Sequence, residues 1–405
     1  MSSFIDSIAS LLSLGDQDAN VSNFGFSTAN TGHNDVTGND SDNSATSSQQ
    51  ASAGGIFGPG DDATAANSSS NRNLSDGTAL LATGNASAIG NVAETNIFQS
   101  APSFGAGGGI YIGDQEANVY NYGDASANTG HNDVTGNDST NTATSHQDAS
   151  AGGIFGPGDD ASAVNSSANT NMSDGTAVLH TGNASAVGNV AETNIFQSGP
   201  SFGSGGGIYI GDQEANVYNS GSANADTGHN TVTGNDSTNT ATSHQDASAG
   251  GIFGPGDDAT AVNSSANTNM SDGTAVLETG NASAVGNVAE TNIHQSAPSF
   301  GSGGGIYIGD QEANVYNSGT ATADTGHNTV TGNDSHNTAD SFQDADAGGV
   351  FGPGDDATAV NSSSNTNMSD GHAAAHTGDA HAVGNVAHTD IAQEADDDMD
   401  FDFDF

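Results

Sequence analysis

The hexapeptide GDQ(D/E)AN begins at Gly15, Gly113, Gly211 and Gly309, 98 residues apart each time, with no insertion or deletion. The tetrapeptide TGHN keeps the same phase and places His33, His131, His229 and His327 at equivalent positions. GGIFGPGDDA follows in step at 54–63, 152–161 and 250–259, with GGVFGPGDDA at 348–357. Fixed internal periodicity is the mark of a repeat architecture, in which each unit docks on the next in one geometry. The chain divides into a leader (1–14), repeats at 15–112, 113–210 and 211–308, a truncated fourth repeat (309–393) and an acidic-aromatic tail (394–405).

Within a repeat, short alternating runs such as TAVLHT and AETNIF read as strands. Gly, Asn and Asp between them read as turns, and GPG at 156–158 is a strong one. The 57 glycines, and Asn, Ser, Thr and Asp throughout, argue against long helices. The predicted class is all-β, with many short strands in a thin β-solenoid that points Ala, Ser, Thr and Val inward. Segments such as QDASA, SDGTA and GNASA recur at irregular spacing inside the repeat. A coil of about 24 residues predicts four coils per repeat and a rod of about 80 Å. The competing predictions are a largely disordered acidic repeat chain and a series of compact β domains. Leu, Ile, Val and Phe are scarce and the formal net charge is -48, a balance that disfavours a conventional core. Phe4, Ile8, Leu11 and Leu12 follow helical spacing, which predicts a short amphipathic helix over about residues 3–13.

The same charge balance limits the partners. One arginine, Arg72, and no lysine stand against 49 acids. Nucleic-acid binding and direct binding to anionic membranes both need cations that this chain lacks. Divalent cations are the expected charged partners. Stacked coils bring like charges into neighbouring rungs, which bound cations or salt relieve.

The two-aspartate turns are the candidate calcium ligands: Asp61, Asp62, Asp159, Asp160, Asp257, Asp258, Asp355 and Asp356. Calcium takes six to eight oxygens, and a Gly-Pro-Gly turn presents carbonyls beside its carboxylates. GPGDD is similar to the GxGxD part of the calcium-binding RTX nonapeptide, but it recurs once per 98 residues rather than every nine. The alternative role of these aspartates is to cap and solvate a turn.

The TGHN histidines admit a metal site or a hydrogen bond at a turn. Asp133 lies two residues after His131, whereas His229 and His327 are followed by Asn-Thr, which favours the hydrogen bond. His372 and His376 share parity in a segment that reads as strand, a further zinc or pH-sensing candidate. Thr142 and Thr144 resemble one element of an ice-binding array. No cysteine or lysine is present, and the candidate sites repeat. Repetition favours binding or structure over catalysis, so the chain is expected not to be an enzyme.

Met399, Phe401, Phe403 and Phe405 alternate with aspartates at the C-terminus. This end resembles the acidic tails of bacterial single-stranded DNA-binding proteins and the aromatic ends read by some export systems. It is a candidate dock for a partner or export machinery. The opening SSFIDSIASLLS resembles the start of actinobacterial IniB-type envelope proteins, which continue into Gly-, Ala-, Asn- and Asp-rich repeats. That resemblance implies a cell-envelope structural role. The expected function is a non-enzymatic structural repeat protein of the cell surface or extracellular matrix. It self-associates end to end and is stabilised by cations. The alternatives are a calcium-dependent adhesin or ligand-binding protein, and an ice-binding protein. No Sec-type signal peptide is evident, because the first residues lack a basic segment.

Overall fold

The computed structural model describes residues 12–53, 63–106, 108–151, 161–249, 259–347 and 357–394. The described residues are almost all strand and contain no helix. Every strand pairs in parallel with its own copy 98 residues away: Gln17 with Gln115, Asp133 with Thr231, Ala161 with Ala259, Ala184 with Ala282. Five four-stranded sheets and one three-stranded sheet result.

One repeat is therefore one coil, not four. The second coil shows the plan. A short strand, Gly109–Ile112, leads into Gln115–Asn128, then Asp133–Ala151. The chain returns through Ala161–His180, Ala184–Ser198 and Ser201–Phe202. Outward and return runs face each other as two layers. The bends at TGHN and TGN lie together, and Thr129 Oγ1 donates to the Gly182 carbonyl at 2.8 Å. Four coils at ~4.8 Å per step stack to about 19 Å, while the 33 strand residues of one layer extend about 110 Å. The molecule is a thin slab of long strands, where the sequence predicted a rod of short ones.

Alternation does the sorting. Along Gln115–Asn128 every second residue is buried, and Ala117, Val119, Ala125 and Ala127 face inward. Alanine clusters from the two layers meet, as in Ala125 and Ala127 against Ala184 and Ala186. Small side chains let the layers approach until backbone touches backbone. A Cβ on Gly123 would overlap the carbonyl of Gly188 in the facing layer. Where the coil closes, Tyr111 and Tyr209 pack with Phe202, and the rings stack on their own copies.

The interior is also amide-rich, which the expectation of small inward residues left out. Asn121, Asn137, Asn141, Asn165, Asn171 and Asn189 are buried. Each donates from Nδ2 to Oδ1 of its copy in the next coil, at 2.7–3.1 Å. Gln213, Gln245 and Gln295 run the opposite way, donating from Nε2 to Oε1 of the copy in the preceding coil. A buried amide without partners costs about 1–3 kcal/mol. Here its partner is itself, one coil away, as in the amide ladders of cross-β assemblies. This requirement explains the unbroken period: a single insertion would misalign every ladder beyond it.

Most of the expected leader helix lies outside the described residues. Its described end, Leu12–Leu14, is strand and pairs with Ile110–Ile112, so the first coil begins before Gly15. Glu394, assigned to the tail from the sequence, still pairs with Ser296 as the last residue of strand Ala380–Glu394.

Candidate functional site

The two ends of the stack are chemically different and complementary. The first coil presents Oδ1 of Asn23, Asn39, Asn43 and Asn91 with no coil below to donate to them. In the next coil up, that acceptor position is filled: Asn23 Nδ2 reaches Asn121, and Asn39 Nδ2 reaches Asn137. The fourth coil presents the amide donors of Asn317, Asn333, Asn337 and Asn385, each already accepting from the third coil. The glutamine ladders are reversed, so Gln17 and Gln49 offer Nε2 at the first-coil end. Gln343 and Gln393 offer Oε1 at the other. Burial reflects this. Val119 and Val217 are fully buried in the middle coils, while their copies Val21 and Val315 are only partly covered.

A second constellation runs along the TGHN bend. His33, His131, His229 and His327 all have left-handed backbone, with φ between 56° and 62°. Their imidazoles stack face to face at 4.7–4.8 Å. In each coil Nδ1 turns toward the residue three positions earlier. That residue is Asn30 in the first coil, Asn128 in the second, Asp226 in the third and Asp324 in the fourth. The turn itself explains this orientation, because Oδ1 of that residue accepts from the glycine N–H two residues on: Gly228 at 2.8 Å and Gly326 at 2.7 Å. Asp226 Oδ2 then lies 3.7 Å from His131 Nδ1 and 3.5 Å from His229 Nδ1. Asp324 Oδ2 lies 3.2 Å from His327 Nδ1. The Gly326 N–H, followed by His327, holds the Asp324 carboxyl below the usual range against the opposing effect of burial. The sequence reading looked after the histidine, to Asp133. The carboxylate that meets the rings comes before it, in the change from NTGH to DTGH in the last two repeats.

The outer faces carry acidic columns. Asp76, Asp174, Asp272 and Asp370 stack in one line, and Asp40, Asp138, Asp236 and Asp334 in another. Burial, then the neighbouring carboxylates Asp272 and Asp76, push the Asp174 carboxyl up; burial, then Asp138 and Asp334, do the same to Asp236. Like-charge stacking was the expectation, and these columns have it. Thr142 and Thr144 stand on this exterior with Thr240 and Thr242, but Asp340 interrupts the second column in the fourth coil. His372 and His376 lie exposed on one strand, Ala357–His376, as their shared parity predicted. All eight candidate calcium ligands, Asp61, Asp62, Asp159, Asp160, Asp257, Asp258, Asp355 and Asp356, lie outside the described residues, as does the tail Met399–Phe405.

No protein-family model matches this chain, and no curated protein matches it.

Proposed function

We propose that the protein is a non-enzymatic structural subunit that stacks end to end into filaments at the cell surface or in the extracellular matrix, with cations screening its acidic columns. The observation that carries this reading is the complementarity of the two end coils. Placing the first coil of one copy on the fourth coil of another continues the ladders of Asn23, Asn39, Asn43 and Asn91, and those of Gln17, Gln49 and Gln99, with the same donors, acceptors and 98-residue register. Such a contact is heterologous and does not close on itself, so it generates an open filament rather than a ring. It also covers strand edges that otherwise template uncontrolled pairing. The surface setting rests on the resemblance of the opening residues to envelope repeat proteins.

A disulfide tests the register. Ser44 in the first coil and Thr338 in the fourth occupy the same outward column, linked through Thr142 and Thr240. The natural chain has no cysteine. In the filament, Ser44→Cys of one copy and Thr338→Cys of the next lie one rung apart, within disulfide reach. The double variant is expected to give a ladder of covalent multimers on a non-reducing gel, in salt with millimolar magnesium. Filaments should also show a ~4.8 Å meridional reflection with an axial repeat of about 19 Å. A double variant that stays monomeric at all concentrations overturns the reading.

A further inference from the structure

We propose that the histidine–aspartate ladder binds one divalent transition-metal ion of the zinc class per chain, through His229, one adjacent aspartate and one adjacent histidine. Two overlapping groups offer the ligands: His131, Asp226 and His229, or His229, Asp324 and His327. In each group the three donor atoms already lie within 4.8 Å of one another. Ligands around a tetrahedral zinc, at about 2.0–2.1 Å from the metal, stand about 3.3 Å apart. The Nδ1–Oδ2 separations of 3.2–3.7 Å fall around that value. A tilt of the exposed rings brings the second imidazole in. Three protein ligands then leave a position for water.

The ligand type sets the ion class. Two imidazoles and a carboxylate suit zinc, copper or nickel, whereas calcium and magnesium need a shell of oxygens that this bend does not supply. The carboxylate is held in advance, because its other oxygen accepts a glycine N–H within the turn. The ring is held as well. His131 Nδ1 lies 3.2 Å from the Asn128 amide nitrogen, a donor, so this ring nitrogen is an unprotonated acceptor that can exchange that hydrogen bond for a metal ion. All four histidines sit in a left-handed conformation that non-glycine residues adopt uncommonly. Because the two groups share His229, one ion fills the ladder. The first coil holds Asn30 where the third and fourth hold aspartate, so a filament junction places no carboxylate between His327 and the next His33. The site belongs to the single chain and does not depend on assembly.

Calorimetric titration of the full-length, metal-stripped protein with zinc chloride, then separately with calcium chloride, tests this. The last repeat carries other exposed histidines, so the difference between variants is the readout. His229→Asn is expected to remove one equivalent of tight zinc uptake. The pair Asp226→Asn with Asp324→Asn is expected to weaken that equivalent at least ten-fold. Both variants should keep their β circular dichroism, since asparagine tolerates left-handed backbone and already fills the aspartate position at Asn30 and Asn128. Calcium should not compete. The inference is overturned if the parent takes up no zinc, if calcium displaces zinc at equal concentration, or if His229→Asn binds as the parent does. Since the titration reads binding rather than filaments, its failure leaves the assembly reading standing.

Discussion

The middle coils and the end coils have nearly the same sequence and live in different surroundings. Ala117 and Ala215 are fully buried, and their copies Ala19 and Ala313 are only partly so. Nothing local distinguishes them: the strands Gln17–Asn30 and Gln115–Asn128 have the same length and nearly the same inward residues. What differs is whether a coil lies on both sides. Burial, amide satisfaction and charge repulsion all come from the neighbour above and the neighbour below. Stability is then close to a sum of nearest-neighbour terms, as in other repeat stacks. The same substitution should therefore read differently in a middle coil and in an end coil, and assembly should erase the difference.

The largest contrast is expected at the TGN bend. A Cβ on Gly182 would overlap the carbonyl of Gly84 in the coil below, whereas a Cβ on Gly84 meets nothing. Gly182→Ala should lower stability by about 3 kcal/mol, the upper range for forcing extra atoms into a packed site. Gly84→Ala in the unassembled chain should stay within about 0.5 kcal/mol. Urea unfolding of both variants at low protein concentration checks this. If the two lose equal stability, coil-to-coil contact is not what sets the cost. In a filament, Gly84 of one copy would face Gly378 of the next, so Gly84→Ala should impair filament growth while sparing the monomer.

A smaller contrast is expected along the asparagine ladders. Asn171→Ala removes the acceptor of Asn73, the donor to Asn269 and the donor to the Thr240 carbonyl. The cost should be about 2–3 kcal/mol, because buried groups on both sides lose partners. Asn367→Ala in the fourth coil removes only the acceptor of Asn269 from the ladder below, and should cost about 1 kcal/mol. Equal shifts in the urea midpoint would mean that the ladder contributes no more at the centre than at the edge.

These contrasts also show what the sequence made legible. The 98-residue period, the all-β character and the stacked like charges can all be read from GDQ(D/E)AN, TGHN and the acid count. The coil length could not be read from the inner rhythm. QDASA, SDGTA and GNASA look alike because each follows an Asp or Asn with an inward Ala one or three residues on. Period-two alternation records which face a residue takes, and carries no information on how many strands complete a turn. The better signal was identity at i and i+98 for Asn137, Asn235 and Asn333, residues poor at forming strands alone. A buried amide repeated at one fixed distance is what an in-register ladder requires. The histidine ladder was hidden for a related reason. Its carboxylates, Asp226 and Asp324, replace Asn30 and Asn128 three residues before the ring, where turn geometry and not sequence adjacency brings them close.

The gentlest test of the comparison is titration. Among the carboxyls pushed above their usual range are Asp133, Asp174 and Asp236, all in the middle coils. For each the first cause is burial, followed by the carboxylate of a neighbouring coil. A carboxyl whose pKa is higher in the folded state binds its proton more tightly there. Its contribution to stability is present at low pH and is lost as pH rises through the folded pKa. Asp324, held low, works the other way and loses its contribution as pH falls. Three groups against one set the sign: stability should rise as pH falls from neutrality toward the upper edge of the carboxylate range. Added salt at neutral pH should give part of the same gain by screening the columns. In the proposed filament a neighbour would lie against each end coil, so Asp76 would meet Asp370 of the next copy across the junction. Filament growth should therefore increase on mild acidification, with a salt dependence that flattens as the columns take up protons. Light scattering across pH 7 to about 4.5, at two ionic strengths, reads both effects. Growth that instead falls steadily with pH would place the controlling charge outside these columns.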